Sequence, residues 1–562
     1  MLDPKKLISF EYFPVELPSC FTTKDVVKHY ADMLGQINAT NYGSSIPLFF
    51  TAYKNEHARR RMALPNLYHY FKIVELLCKN EATISSIYNG SNYSLTKPSN
   101  KQKNTENRAF NRVSNSPNET RAINEKLFQD NTLCLKLDIN NFFDSIYTHS
   151  ISWAIHTKAV AKKNSKDMTL FGNALDKCLQ GLNDKQTHGI LIGNAVSRLI
   201  SEIILCKIDE NIKKEFKNIN LCRYVDDYAF YLKEGYSQNA SIEQIICFVR
   251  NQLLEYDLIL NETKTTVLKA PFVLGQNGID EIKSVAMLDP YHYFNRMVFI
   301  YNKYQDISLI KYGMKVVQCL TTKENIHSVF PLIINLWARF PNLAEYILPV
   351  LYDNKDELSK KEKEGFRIVL QKVFEEGVAY RHDVEVVWAT WAMFLFEYPI
   401  TSRLLKLISN TNNDFAILIA LDSLKESKPK YFIEALQSVI ARVTLDINGL
   451  MDEDSKDDEA MLKQHWFLVY ELVVKGIVTD GDLVKYVKDN RFFKKMLDLK
   501  IDMYDASAKP INKQYKTVAK QNREKLRKII LDLSNLEKDD AKKEELVDKF
   551  SKIVTHSSGW DY

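Results

Sequence analysis

The sequence predicts an α+β part over residues 1–285, followed by an all-α part over residues 286–562. In the first part, short runs of β-branched and aromatic residues typical of strands alternate with segments of helical period. From Pro290 onward, apolar residues recur at helical spacing between proline or polar breaks. These observations favour one sheet with helices packed on it, and then helix pairs stacked as in a solenoid.

Composition sets the outer limits of this prediction. A chain of 562 residues is too long for one hydrophobic core, and its net charge of +5 is small for that size. The eight cysteines are scattered singly, as expected for reduced thiols in a cytosolic protein. The most apolar stretch, Val386 to Phe396, is too short to span a bilayer, and no signal peptide is recognised. We therefore expect a cytoplasmic protein that does not contact membranes.

The amino-terminal region predicts one helix, Thr23 to Ile37, opened by a threonine cap. Arg59, Arg60 and Arg61 then precede an aromatic-rich segment. Three consecutive arginines are consistent with a solvated face. Beside a metal site, however, guanidinium groups bind phosphate in bidentate fashion, so Arg59 and Arg60 are candidates to hold a triphosphate.

Residues 91–121 are almost entirely polar and predict a long surface loop. A strand ending at Asp138 follows, with helices expected from near Ser145 and over Leu170 to Leu182. The next loop contains Gly189 and Gly193, which allow backbone to approach a ligand closely, and it leads into a further helix.

Tyr224-Val225-Asp226-Asp227 lies inside a run of aromatic and β-branched residues. The run predicts two short strands joined by a tight turn with two carboxylates at its tip. A turn with two solvated acids is the simpler alternative. A helix over Ile242 to Tyr256 and a strand over Leu258 to Thr265 are expected next.

Asp138 and the Asp226–Asp227 pair each end a strand-like run, so one sheet can bring them together. Carboxylates held in this way bind two cations in two-metal phosphoryl transfer. We assign Asp138 and Asp226 as bridging ligands, the carbonyl of Ile139 as another ligand, and Asp227 as a transient one. Lys264 would neutralise or protonate the departing pyrophosphate. The expected cofactor is a pair of Mg²⁺ ions, with Mn²⁺ as the alternative.

The carboxyl-terminal part predicts helices joined by short breaks, with a polar acidic loop over Asp452 to Glu459. The expected helices are Ile326 to Phe340, Asp356 to Phe374, His382 to Phe396, Ile433 to Leu445 and Lys513 to Leu531.

Four segments in order resemble the palm motifs of reverse transcriptases. They are Asp-x-x-x-Phe-Phe from Asp138, Gly-Ile-x-x-Gly-Asn-x-x-Ser from Gly189, Tyr-Val-Asp-Asp, and Leu-x-Leu-Asn-x-x-Lys-Thr ending at Thr265. In that family the position of Phe143 is an aromatic steric gate against the ribose 2′-hydroxyl, which implies dNTP substrates. Gly193 and Asn194 fall in the loop that the family places beside the incoming nucleotide.

Residues 55–270 are most similar to abortive-infection enzymes of the AbiK type. The likeness is carried by Ala58-Arg59-Arg60, Pro65-Asn66-Leu67-Tyr68, Ile146 to Ile151, Thr187-His188-Gly189-Ile190 and Ser197-Arg198. It implies phage defence by a homo-oligomeric polymerase that needs no template, has a HEAT-like helical domain and synthesises single-stranded DNA on its own tyrosine. Tyr12, in an expected flexible, Pro-flanked segment, is our choice of priming residue; Tyr30, Tyr42 and Tyr562 stay open, and so does packing of Tyr12 against its neighbours.

One departure from the family concerns template reading. Leu191-Ile192 stands where ordinary reverse transcriptases carry Pro-Gln, and loss of the glutamine removes a polar contact near the new base pair, unless another residue makes it. One rival hypothesis is a templated enzyme that copies an associated noncoding RNA. The other is an inactive scaffold whose helical part binds a phage protein, although all three acids are present.

Overall fold

A computed structural model gives the structure of the chain over residues 2–55, 57–99, 108–114, 117–128, 131–217, 219–233, 238–269, 281–282, 289–451 and 457–510. Within these ranges every helix is too short or too polar to traverse a lipid bilayer.

The described strands form two antiparallel sheets. The smaller sheet is a hairpin, which we call the arginine hairpin, and the larger one has the strand order β4-β5-β3-β6. The strands are β1 (Leu48–Asn55), β2 (Ala58–Leu64), β3 (Leu133–Leu137), β4 (Asn220–Tyr224), β5 (Asp227–Leu232) and β6 (Thr266–Lys269).

The larger sheet is covered on both faces. Leu133, Leu135 and Leu137 alternate along β3 and face the main core, whereas Cys134 faces a second cluster of apolar side chains that includes Leu95. The helices of this part are α1 (Pro4–Ser9), α2 (Lys24–Lys28), α3 (Tyr30–Ala39), α4 (Leu67–Lys79), α5 (Glu81–Gly90), α6 (Pro117–Phe128), α7 (Phe142–Ser145), α8 (Thr148–His156), α9 (Lys158–Lys163), α10 (Phe171–Leu182), α11 (Ala195–Glu215) and α12 (Gln238–Glu255).

The described residues after 289 form helices and no strand, and we call residues 290–498 the helical region. Each helix from α13 to α22 contacts the helix two places further along the chain, which gives two layers of stacked helices. The helices are α13 (Pro290–Tyr304), α14 (Ile307–Leu320), α15 (Ile326–Arg339), α16 (Ala344–Asp353), α17 (Lys360–Tyr380), α18 (Asp383–Leu395), α19 (Ser402–Ser409), α20 (Asp414–Leu424), α21 (Lys430–Asn448), α22 (Trp466–Val474), α23 (Asp482–Asp489) and α24 (Arg491–Asp498).

The amino-terminal segment packs into the helical region. The ring of Phe21 lies 4.9 Å from that of Phe415 and 5.9 Å from that of Phe467. The backbone N–H of Thr22 donates to the carbonyl of Met503 at 2.9 Å, and other backbone hydrogen bonds join the same two segments. Residues near both ends of the described chain therefore share one core.

Two predicted elements differ in the structure. The helix expected over Thr23 to Ile37 is two helices, α2 and α3, which are interrupted at His29. The Thr23 hydroxyl does not cap α2 but donates to the carbonyl of Ile8. The strand expected over Leu258 to Thr265 is wrong, since that segment makes one isolated bridge at Leu260 and a short 3₁₀ turn before β6 begins.

The prediction of a surface loop over residues 91–121 is also wrong for its described part. Ser91 and Ser94 are buried, and α6 begins at Pro117. Their hydroxyl groups are buried because they donate to acidic side chains in the core. Three expectations lie outside the described residues: the boundary near residue 285, the helix Lys513 to Leu531, and residues 452–456 of the acidic loop.

Candidate active site

The acids that the sequence singled out meet at one edge of the larger sheet. In the β3–β5 pairing Leu137 lies opposite Tyr228, so Asp138 follows on one strand as Asp227 precedes on the other. Asp138, Asp226 and Asp227 lie close enough together for their charges to interact. We call Asp138, Asp226 and Asp227 the acid cluster.

Asp138 is 9% exposed and is held from the segment before β6. Its Oδ1 accepts a hydrogen bond from Asn261 Nδ2 at 3.0 Å, and its Oδ2 accepts one from Lys264 Nζ at 3.0 Å. The backbone N–H of Asn261 also donates to the Asp138 carbonyl at 2.8 Å. The segment carrying Lys264 is therefore fixed beside the first acid.

The charges in the acid cluster are incompletely balanced. Burial raises the pKa of Asp226, as does the charge of Asp138, while Lys264 and Arg60 act in the opposite direction. Burial and the charges of Asp226 and Asp138 raise the pKa of Asp227 to about 6. Three carboxyl groups with two nearby cationic side chains make a site that favours added positive charge.

The turn between β4 and β5 has a strained backbone. Val225 has a φ of 53°, which a β-branched residue rarely adopts. Two neighbours hold it there: Arg223 donates to the Val225 carbonyl at 2.8 Å, and the Val225 N–H donates to Thr96 Oγ1 at 3.2 Å. These contacts fix the backbone that immediately precedes Asp226.

Arg223 belongs to a buried ionic group that the sequence analysis missed. Its side chain is 0% exposed and donates to Asp209 at 2.8 Å and to Glu202 at 3.0 Å, both on α11. Ser94 completes the group by donating to Glu202 at 2.8 Å. The sequence held a signal, because two acids seven positions apart share one face of a helix, and acids on a buried face need a cation.

The three arginines of β2 have three different environments. Arg59 makes a bidentate ion pair with Glu385 of α18, with N···O distances of 2.7 and 2.6 Å. Arg61 lies over the ring of Phe49 at 3.6 Å. Arg60 is exposed, and its charge acts on Asp226. The expectation that Arg59 holds a triphosphate is wrong here, because its guanidinium is occupied by Glu385.

The glycine loop is built into the protein core. At Gly193, with φ at 116°, a Cβ would lie 2.7 Å from Pro14 Cγ and 2.9 Å from Met62 Cε. The Asn194 side chain caps α11 by accepting from the Ser197 N–H at 3.0 Å, and its amide donates to the Leu191 carbonyl at 3.0 Å. Asn194 therefore stabilises the loop, and its place beside an incoming nucleotide stays a prediction.

Phe143 and the glycine loop are directly connected. Phe143 is half-buried, and its carbonyl accepts a hydrogen bond from the Ile190 N–H at 2.9 Å. Its ring lies 5.3 Å from that of Phe142, which is buried. This side chain follows the end of β3 by a few residues, beside the acid cluster.

Tyr12 lies in a buried segment, so the expectation of a flexible one is wrong. Its side chain is 0% exposed, its hydroxyl donates to the Pro65 carbonyl at 2.7 Å, and burial raises its pKa well above the usual range. Its ring packs 4.8 Å from that of Tyr70. From this position the hydroxyl has no access to the acid cluster.

The chemistry of the acid cluster fits divalent cations. Mg²⁺ prefers carboxylate oxygens, and the mutual repulsion of these acids is the charge that such ions neutralise. Among the described residues no group of three or more His, Cys, Asp or Glu is arranged as a finished metal site. Asp138 contributes to this, since Lys264 and Asn261 bind its two oxygens. Metal binding would therefore require these contacts to be exchanged.

Comparison with known proteins identifies the domain. Residues 54–280 match the family described as reverse transcriptase (RNA-dependent DNA polymerase), and no curated protein matches the sequence. Telomerase from Candida tropicalis in complex with a telomeric RNA fragment is a similar solved structure, with 10% identity, a TM-score of 0.28, and coverage of 64% of this chain and 67% of that one.

Two further structures are similar at the same level. Apo telomerase from Candida tropicalis is 11% identical with a TM-score of 0.31, and the alignment covers 74% of this chain and 73% of that one. Telomerase from Candida albicans with a telomeric RNA fragment is 9% identical with a TM-score of 0.28, covering 61% and 70%. TM-scores this low carry no argument about this chain. The family match covers residues 54–280, and Asp138, Asp226 and Asp227 lie inside that range.

Proposed function

We propose that this protein is a DNA polymerase of the reverse transcriptase type that adds dNTPs to a hydroxyl group at the acid cluster. The observation that carries the proposal is the convergence of Asp138, Asp226 and Asp227, with Lys264 bound to the first of them. Their separation in sequence makes this arrangement a property of the fold.

In the proposed reaction the attacking hydroxyl loses its proton, its oxygen bonds to the α-phosphorus of the dNTP, and the bond to pyrophosphate breaks. Two Mg²⁺ ions, when bound, activate the hydroxyl and stabilise the leaving oxygen. Asp138, Asp226 and the carbonyl of Ile139 would hold them, with Asp227 as a transient ligand.

Two cationic side chains and one aromatic side chain would bind the substrate, protonate the leaving group and select the sugar. Arg60 is exposed on β2, its charge acts on Asp226, and it would bind the triphosphate. Lys264, which is 64% exposed at its side chain, is free to turn from Asp138 toward the departing pyrophosphate and give it a proton. Phe143 would exclude the ribose 2′-hydroxyl and so select dNTPs.

We further infer an antiphage role in abortive infection, with template-independent synthesis primed by a tyrosine and the single-stranded product attached to the protein. The resemblance of residues 55–270 to AbiK-type enzymes supports this. The two layers of stacked helices support the HEAT-like domain that the same resemblance implies. The resemblance is also the basis on which we propose homo-oligomers. Leu191-Ile192 in place of Pro-Gln favours weak template reading.

A templated reverse transcriptase that copies an associated noncoding RNA is the second candidate. The family that residues 54–280 match is described as RNA-dependent DNA polymerase, which favours a template. Sequencing the nucleic acid bound to the purified protein separates the two. Random DNA supports template-independent synthesis, whereas a defined repeat or a homopolymer supports copying.

The test of polymerase activity needs no template or primer. The protein is incubated with Mg²⁺ and labelled dNTPs, and the products are separated on a denaturing gel. We expect label to migrate with the protein, and the Asp226→Ala, Asp227→Ala double variant to abolish incorporation because the cations lose their ligands. The same variant should abolish phage defence.

The control is Asp167→Ala, which removes an exposed acid outside the cluster and should leave incorporation unchanged. Incorporation retained in the Asp226→Ala, Asp227→Ala variant would refute the site. If wild type incorporates dNTPs only when an RNA template and a primer are supplied, the template-independent reading fails and the polymerase reading stands.

The priming residue needs a separate experiment, since Tyr12 is buried. Tyr42 is half-buried with its hydroxyl accepting from the Arg491 N–H at 3.1 Å, and the hydroxyl of Tyr30 donates to Glu75. Tyr562 lies outside the described residues. Mass spectrometry of nucleotide-bearing peptides will identify the tyrosine. A modified Tyr12 would show that the amino-terminal segment leaves its site during initiation.

A further inference from the structure

The arginine hairpin contacts the helical region on both faces: Phe50, on the face of Arg60, packs 5.3 Å from Phe415, and Arg59, on the other face, binds α18. In an antiparallel pair, side chains of one face alternate, so Arg59 and Arg61 share a face with Thr51 while Arg60 points to the opposite one. The observed contacts agree with this alternation. Arg59 reaches α18, and Arg60 is left exposed.

The main link is an ion pair that is costly to break. Glu385 is 3% exposed in the first turn of α18, where the helix dipole favours an acid. Both of its oxygens accept from Arg59, at 2.7 and 2.6 Å. Removing Arg59 leaves the buried charge of Glu385 without compensation, so this pair holds the hairpin and α18 together.

A second link lies next to the first. The Thr51 N–H donates to Asp383 Oδ2 at 2.8 Å, and the Asp383 N–H donates to Thr51 Oγ1 at 3.2 Å. These reciprocal hydrogen bonds join β1 to the start of α18. The two links restrain both strands of the hairpin, so β2 has a fixed distance from the helical region.

We propose that Glu385 is a positioning residue for dNTP binding: by holding Arg59, the helical region sets the place of Arg60 opposite the acid cluster. The inference deepens the proposed function and rests on it. Arg60 is one residue from the ion pair on a rigid strand, so a shift of the pair moves its guanidinium. A displacement of this kind weakens a bidentate phosphate contact strongly.

The test is a double-variant cycle in equilibrium binding. A fluorescent dATP analogue is titrated with Ca²⁺ in place of Mg²⁺, so that binding is measured without turnover. We expect Glu385→Ala to raise the Kd about tenfold, and Arg60→Ala to do so at least as much. In the Arg60→Ala background the Glu385 substitution should have less than a twofold effect, because the residue it positions is gone.

Two variants separate positioning from folding. Exchanging the charges, Arg59→Glu with Glu385→Arg, should restore most of the affinity, which repacking alone would not do. Glu364→Gln, which removes an exposed pair with Arg367 elsewhere in the helical region, is the matched control and should bind as wild type does. If Glu385→Ala does not fold, Glu385→Gln replaces it in the cycle.

Affinity within twofold of wild type for Glu385→Ala and Glu385→Gln would overturn the inference, and so would an additive effect on top of Arg60→Ala. Failure of the proposed function has a different result. Wild type would then bind the dATP analogue but incorporate nothing with Mg²⁺, and the cycle would still decide the role of Glu385. A wild-type protein that does not bind the analogue overturns both.

Discussion

Arg223 shows how one buried charge supports the chemistry of its neighbours. It precedes Tyr224 in the turn motif, is fully buried, and connects the strained Val225 carbonyl to Glu202 and Asp209 on α11. Because this turn is fixed, Asp226 and Asp227 cannot move away from Asp138 in response to the repulsion between their charges. The buried ionic group of Arg223 therefore stabilises the turn on which the mutually repelling acids lie.

Arg223→Ala should lower the free energy of unfolding by about 3–5 kcal/mol, because two buried carboxylates lose their partner. Chemical denaturation measures this change. The comparison is Arg250→Ala, whose pair with Glu262 is exposed and should contribute at most about 1 kcal/mol. Equal effects of the two substitutions would show that the buried group is not a structural anchor.

The identities of Asp138, Asp226, Asp227 and Lys264 were predictable from sequence, because strand ends and a tight turn are local patterns, and the structure brings these side chains together. Arg59 was not. Its pairing with Glu385 joins positions 326 residues apart, and nothing local distinguishes it from Arg60. The metal-binding and catalytic roles of the three acids and Lys264 stay predictions.

At the scale of elements, sequence prediction worked best for helices of the helical region. The helix expected over Ile326 to Phe340 is α15, and that expected over His382 to Phe396 is α18, within a residue or two. Apolar spacing determines such helices directly. The segments that failed, Leu258 to Thr265 and residues 91–121, take their form from side-chain contacts with distant residues.

The glycine loop is an element whose shape is set by its neighbours. The Ala63 N–H of β2 donates to the Ile192 carbonyl at 3.1 Å, and the Ala195 N–H donates to the Glu11 carbonyl at 2.9 Å. Gly193 lies between these contacts. The loop is consequently clamped between the arginine hairpin and the amino-terminal segment.

Gly193→Ala should destabilise the protein by about 1–3 kcal/mol, because both the positive φ and the close approach of Pro14 oppose a Cβ. Thermal or urea unfolding measures it. Gly476→Ala is the matched control, since Gly476 also has a positive φ, of 66°, but nothing lies within 4 Å of its Cβ position. If Gly193→Ala costs no more than this control, the close packing does not constrain the loop.

At the scale of the whole molecule, described residues from the two sides of the predicted boundary at residue 285 pack against each other. Phe21 contacts Phe415 and Phe467, and the Asn66 amide donates to the Met461 carbonyl at 2.9 Å. Sequence patterns identify where helices begin to dominate. They do not reveal which other segment of the chain packs against those helices.

A fragment of residues 1–285 should therefore not fold as a cooperative unit, because the aromatic side chains near Phe21 would lose their partners. Circular dichroism and binding of a hydrophobic dye measure this: we expect no sharp thermal transition and strong dye binding. A fragment that melts cooperatively and incorporates dNTPs would show that the helical region is dispensable.

The pairing of residues 20–22 with residues 503–505 also orders events during synthesis. The Asp505 N–H donates to the Cys20 carbonyl at 2.8 Å, so this contact forms only after nearly the whole described chain has left the ribosome. The two segments meet slowly because so many residues separate them, so the amino-terminal segment reaches its final position late in folding. Because that segment also clamps the glycine loop, the loop gains its final contacts only after residue 505 has been synthesised.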